Sequence, residues 1–194
     1  NPQSRITALD ISHSALKNTR MLMLKHNLRN LDLHEIPLEQ VADLGREFDL
    51  IIGSGVLHHL PDPEAGLQAL EGVLQREGAL YLTLNGRYGR EGITQLRELC
   101  RRMGLDPEKV TEGELEGLRH LVAEQLPATH PMVAKRGLFG DFSDHHELRE
   151  QLLHPCVHAY SLPEVEGLLG RCGLQMQRLL NRAHYAPRCS ALTK

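Results

Sequence analysis

Residues 48–62 read Phe-Asp-Leu-Ile-Ile-Gly-Ser-Gly-Val-Leu-His-His-Leu-Pro-Asp, from Phe48 to Asp62, and their reading decides the fold. Phe48 to Ile52 is a short apolar run of the kind found in a strand buried on both faces. Gly53-Ser54-Gly55 breaks the run, and glycines allow backbone to approach a ligand closely. Val56 to Leu60 follows and carries the pair His58-His59. Asp62 caps the next helix and Pro63 stands at its first position. Open α/β sheets bind ligands at the carboxyl ends of their strands. This strand end offers adaptable backbone and two titratable rings there.

Working outward, Arg5 to Ile11 reads as a strand ending in Asp10, with Ser12 as the cap of a helix over the following residues. An acid at a strand tip before a helix hydrogen-bonds ribose hydroxyls in nucleotide-binding α/β folds, which makes Asp10, with its neighbour Ile11, a candidate. Leu31 to His34 is a short strand, and Leu38 to Leu44 a short helix. Leu67, Leu70 and Leu74 form the apolar stripe of the helix after Pro63, and Ala79 to Leu84 is a further strand. The alternation of strands and helices predicts an α/β, Rossmann-like, doubly wound and mainly parallel sheet.

The 48–62 stretch resembles the fourth-strand region of class I S-adenosylmethionine (SAM)-dependent methyltransferases, many of which carry a similar FDxIxxxxVLHHLxDP. Asn85-Gly-Arg-Tyr-Gly-Arg90 and Leu153-His-Pro with Tyr160-Ser161 are similar to segments of one bacterial group in that family. The likeness covers residues 5–92 and 153–180. It implies SAM as cofactor, with Asp10 and Ile11 at the ribose. Glu35 and Ile36 would lie at the adenine, and Gly53, Ser54 and Gly55 at the methionine end. It also implies that His58 and His59 serve either as a base or as packing around the cofactor. Arg87, Tyr88 and Arg90 lie where an acceptor would approach. The arginines would meet an anionic acceptor group or form a clamp to a carboxylate, and Tyr88 would line the pocket.

Three segments follow: residues 1–92 as the SAM-binding core, 93–152 as a helical insertion after the fifth strand of the family, and 153–194 as the return to the core. In the insertion, Ile93, Leu96, Leu99, Cys100 and Met103 form one stripe. Thr111 and Glu114 form a capping box, and Asp144 with Glu147 marks another helix start. Gly137 to Ser143 is a candidate hinge or substrate loop. Ser161 and Glu164 cap the helix of the return, and Leu174 to Leu180 is predicted as a strand.

The family's first strand and its glycine-rich turn are expected upstream of Asn1, supplied by further sequence, by another chain or by swapping, so a homodimer is one possibility. Gly86-x-x-Gly89-x-x-Gly92 follows a different strand and does not replace that turn.

Of the 194 residues, 41% are hydrophobic and 24% charged, enough to build a core. The net charge of −3 and the 4% of aromatic residues argue against a broad basic nucleic-acid surface or a base-stacking platform. No apolar run approaches the roughly 20 residues of a membrane span. The four scattered cysteines form no CxxC pair and fit free thiols in a reducing cytosol. Among the 12 histidines, His145-His146 with His154 and Asp144 is the densest group, but neighbours on a helix diverge by about 100°, and no metal is expected.

The predicted activity is methyl transfer to a small-molecule acceptor, with a peptide or protein as the alternative acceptor. Two rivals stand beside it. A nicotinamide-dependent oxidoreductase would use Asp10 equally well, and a non-catalytic methyltransferase-like module would bind a partner chain.

Overall fold

A computed structural model describes residues 4–134, 142 and 144–180. Strand β1 (Ile6–Leu9) is followed by α1 (His13–Lys25) and β2 (Leu31–His34). A 3-10 helix over Leu38–Leu44 leads to β3 (Phe48–Ser54), and a second one over Leu57–His59 leads to α2 (Pro63–Glu71) and β4 (Leu74–Thr83). The helices α3 (Glu91–Arg102), α4 (Glu112–His120), α5 (Pro131–Ala134), α6 (His145–Leu148) and α7 (Leu162–Arg171) complete the order, with π-helical turns over Leu121–Gln125 and Arg149–Leu153.

The caps read from the sequence are formed. Ser12 Oγ accepts from the Ala15 amide at 3.2 Å, and Asp62 Oδ1 accepts from the Glu64 and Ala65 amides at 3.0 Å each. Thr111 and Glu114 make both halves of a capping box. Asp144 accepts from the His146 amide at 3.0 Å. Helix α1 closes through Asn27 at φ 51°, a left-handed position that Asn tolerates, and the Leu28 amide bonds back to Met23 O at 2.9 Å.

The chain divides into two compact units. One comprises residues 1–52, 62–81 and 166–194, the other 53–61 and 82–165. In the first, β1 and β2 pair in parallel, with Ile6 opposite Leu31 and Leu9 opposite His34. Helix α2 buries Leu67 and Leu70, and Arg171 of α7 pairs with its Glu64 at 2.8 Å. The second unit is built on a helical core. Ile93, Leu96 and Cys100 of α3 meet Leu115 and Leu118 of α4, with Met132, Leu148 and Leu152. Of the stripe read from the sequence, Ile93, Leu96 and Cys100 are core, whereas Leu99 and Met103 are exposed; the unit extends beyond residues 93–152 to take in both flanking segments.

Four expectations differ from the structure. Phe48 to Ile52 has the apolar run of a strand buried on both faces, yet Leu50 and Ile52 of β3 are 56% and 65% exposed. Leu74 opens β4 instead of closing the helical stripe, because α2 ends at Glu71. The described strands form two pairs, β1 with β2 and β3 with β4, rather than one continuous sheet. Residues 174–180 are not a strand: Leu174 to Gln177 alternate apolar and polar, but the segment has no β-branched or aromatic residue and the described residues provide no ladder partner. The candidate hinge over residues 137–143 lies, apart from buried Phe142, outside the described residues.

Two substitutions test the helical core. Leu115 is fully buried, so Leu115→Ala should destabilise the protein by about 2–5 kcal/mol in chemical denaturation. A Cβ on Gly92 would come within 2.7 Å of both Met132 Cγ and the Met132 backbone nitrogen. Backbone yields less readily than a side-chain end, so Gly92→Ala should cost about 1–3 kcal/mol in the same measurement.

Candidate functional site

The carboxyl ends of β1 and β2 lie side by side, since Leu9 stands opposite His34 and the Asp10 amide donates to His34 O at 3.2 Å. That register brings Asp10 and Ile11 beside Glu35 and Ile36. Asp10 Oδ1 accepts from the Ser12 amide at 2.8 Å, which orients its exposed carboxylate at the start of α1. Ile11 is 74% exposed, an unusual position for a large apolar side chain next to an acid. Glu35 is held by His13, whose Nδ1 lies 2.8 Å from its Oε2.

The end of β3 belongs to the helical unit. Gly55 has φ 74°, a left-handed conformation that disfavours other residues, and a Cβ there would meet nothing within 4 Å. Ser54 Oγ donates to Thr83 Oγ1 at 3.3 Å. The chain then turns through Leu57–His59, with Leu57 and His58 buried. The His58 and His59 rings lie 4.4 Å apart, and His154 packs 4.0 Å from His59.

An extended segment holds this turn. The His158 amide donates to His58 O at 2.8 Å, and His158 Nε2 donates to Leu60 O at 3.0 Å. Cys156 Sγ donates to the same Leu60 carbonyl at 3.2 Å. His59 Nδ1 donates to Cys156 O at 3.1 Å, while His154 Nδ1 lies 2.6 Å from the same carbonyl and accepts from the Cys156 amide at 3.2 Å. A carbonyl only accepts, so the neutral His59 ring carries its proton on Nδ1 and leaves Nε2 as the basic nitrogen. His154, Cys156 and His158 were not linked to His58-His59 at the level of sequence. The available signal was their spacing of two, which puts alternate side chains of an extended segment on one face. His145, placed with His154 in sequence, instead meets Glu112 and Glu116 at 2.6 and 3.4 Å. No group of three or more His, Cys, Asp or Glu among the described residues has the geometry of a metal site.

Burial, reinforced by the neighbouring His59, Arg90 and His154, lowers the His58 pKa to about 4, against a weaker opposing effect of the Thr83 backbone. Burial likewise lowers His59, with His154 and Arg90 adding to it and Cys156 O and Glu150 opposing. Both rings are therefore neutral at pH 7. Buried His58 Nδ1 has no hydrogen-bond partner among the described residues.

The loop after β4 carries Arg87, Tyr88 and Arg90. Arg87 pairs with Glu164 at 2.7 Å, the carboxylate clamp that was one of its two expected roles. Tyr88 is 71% exposed. Arg90, half-buried, donates to Gln151 Oε1, and Arg97 donates to the Gln151 and His154 carbonyls.

Residues 1–80 match a family model described as a methyltransferase domain. That segment is thus similar to methyltransferase domains over less than half of the chain. The chain is similar to PKMT2 from Rickettsia typhi in two solved structures. One shares 16% identity and covers 88% of this chain, with a TM-score of 0.68. The other, solved in complex with AdoHcy, shares 17% identity and covers 94%, with a TM-score of 0.70. Likeness at this identity shows the fold, the Rossmann-like class read from the sequence. An uncharacterized protein of Synechococcus sp. is 37% identical over 99 residues, half of this chain. The chain spans 24% of that relative and 34% and 39% of the two PKMT2 chains. The matched residues contain Asp10, Glu35 and the whole Gly53 to His59 turn. The residues that brace the turn, from His154 to Tyr160, lie beyond them.

The sign of the His58 shift dictates a pH dependence. Its folded pKa lies below the unfolded value near 6.5, so protonation favours the unfolded chain. Its contribution is complete above about pH 6.5 and is lost as pH falls toward 4, to a total on the order of 3 kcal/mol. The His58 ring signals in NMR should titrate with a midpoint near 4, and His58→Leu should flatten the stability slope between pH 6.5 and 5.

Proposed function

We propose that this chain acts in SAM-dependent methyl transfer, the reading supported by the methyltransferase domain over residues 1–80. The likeness to a solved chain bound to AdoHcy supports the choice of cofactor. In the unit that holds β1 and β2, the strand ends suit the nucleoside part of that group. Asp10 is an oriented, exposed acceptor for ribose hydroxyls, and Ile11 and Ile36 offer apolar surface to a base. Glu35 is an acceptor for its exocyclic amine. In the other unit Gly53 is buried against Leu82, while Ser54 and Gly55 expose their backbone and a Cβ on left-handed Gly55 would meet nothing within 4 Å. When bound, SAM supplies an electrophilic methyl group on a sulfonium.

The protein's own part is alignment, exclusion of water and handling of a proton. His59 is proposed as the proton acceptor: its Nδ1–H is fixed on Cys156 O, and its Nε2 is unprotonated at neutral pH. His58 is the deeper ring and keeps the floor of the turn dry and uncharged. Tyr88 is proposed to line the acceptor's approach. The acceptor is taken to be a small molecule, with a peptide or protein as the alternative, and the reaction to be cytoplasmic. The near-neutral charge and the lack of a membrane-crossing helix among the described residues suit that setting.

Calorimetry with AdoHcy, SAM and NAD tests this reading. AdoHcy and SAM should bind, and Asp10→Ala should weaken them about tenfold or more through loss of a charged hydrogen-bond acceptor. His59→Ala should leave cofactor affinity within about threefold. Binding of NAD in place of AdoHcy would overturn the assignment in favour of the oxidoreductase.

A further inference from the structure

In the helical unit, exposed and half-buried arginines alike meet carboxylates. Arg87 pairs with Glu164, Arg101 and Arg102 with Glu98, Arg119 with Glu116, and Arg149 with Glu112. Arg90 and Arg97 are different. Both are half-buried, and among the described residues neither has a carboxylate partner. A guanidinium removed from water normally recovers its hydration loss from an anion.

Arg97 has a structural account. Its two bonds go to the carbonyls of Gln151 and His154, at the end of the π-helical turn, where helix dipoles leave partial negative charge. Arg90 has none of that kind. Its recorded side-chain partner is the neutral amide oxygen of Gln151, the residue whose backbone Arg97 holds. Burial and the charge of Arg97 both disfavour its cationic form. The charge of Arg90 reaches His58 and His59, whose pKa values burial lowers, and Glu150, next in sequence to its partner Gln151, acts on His59. Among the described residues Arg90 thus meets a second cation and makes no ion pair with a carboxylate.

We propose that Arg90 binds an oxyanion of the methyl acceptor, a carboxylate or a phosphate, beside the His58-His59 turn, with Arg97 as its positioning residue through Gln151. This proposal rests on the methyl-transfer reading and narrows it to an anionic class of acceptor. A guanidinium fork suits both oxyanions, since each presents two oxygens in the spacing of its N–H donors. Gln151 leaves the remaining donors of Arg90 available while fixing the plane of the group.

Titration of the chain with inorganic phosphate and with acetate, at constant ionic strength in chloride, tests it. Thermal shift and the NMR signals of His58 and His59 are the readouts. One or both oxyanions should stabilise the chain saturably and move those ring signals, and the preferred one tells phosphate from carboxylate. Arg90→Gln should weaken this about tenfold or more, Arg90→Lys by less, and surface Arg101→Gln not at all. An unchanged response in Arg90→Gln, or no saturable response in the wild type, would overturn the proposal. Should Arg90→Gln fail to fold, Arg90→Lys decides by the same criterion, since a lysine loses the fork but keeps the charge. AdoHcy calorimetry on the same variants separates the two readings. Retained AdoHcy binding without oxyanion binding sinks this inference alone, and oxyanion binding without AdoHcy binding sinks the cofactor assignment alone.

Discussion

The site depends on three backbone hydrogen bonds made by one extended segment. His158 donates to His58 O at 2.8 Å, Tyr160 donates to Asn85 O at 2.8 Å, and Arg87 donates to Tyr160 O at 2.9 Å. Gly86 and Tyr160 thereby form a parallel bridge. These bonds satisfy backbone groups on the turn after β3 and on the loop after β4, two places where strand ladders have stopped. They also bring Cys156 O under two imidazoles and the Leu60 carbonyl under a thiol and a third ring. The burial of His58, and with it the neutrality of the pair, follows from this brace.

Neutral rings and uncompensated arginines have a common origin. His59, Arg90 and Arg97 are polar groups drawn partly out of water, and each is held by carbonyls rather than by counter-charges among the described residues. A carbonyl fixes the tautomer of an imidazole and the plane of a guanidinium without cancelling the charge of either. Glu35 shows the opposite arrangement at the end of β2, where His13 meets it in the open. Solvent screens that pair, so it orients the carboxylate without committing it.

Much of the frame was legible in the sequence. Ser12, Asp62, Thr111 and Asp144 are caps because a short side chain satisfies amides only a few residues away, a local effect that spacing reveals. The stripe from Ile93 to Cys100 is core because its period matches the helix. Asp10 at a strand tip was legible for the same reason. Less legible were elements that need a distant partner. Residues 174–177 have the alternation of a strand and no ladder, and Leu74 has the spacing of a helical stripe yet starts β4.

By itself, the amino-acid order determined which segments turn, which faces are apolar and which acids and imidazoles stand at strand ends, since those depend on neighbours within a few residues. Tertiary structure alone decided that His154, Cys156 and His158 brace a pair of histidines nearly a hundred residues earlier. It also decided that Arg87 finds a carboxylate while Arg90, three positions on, finds an amide. Charge compensation and tautomer are set by whatever group arrives within about 3 Å, and that is a property of packing rather than of chain order.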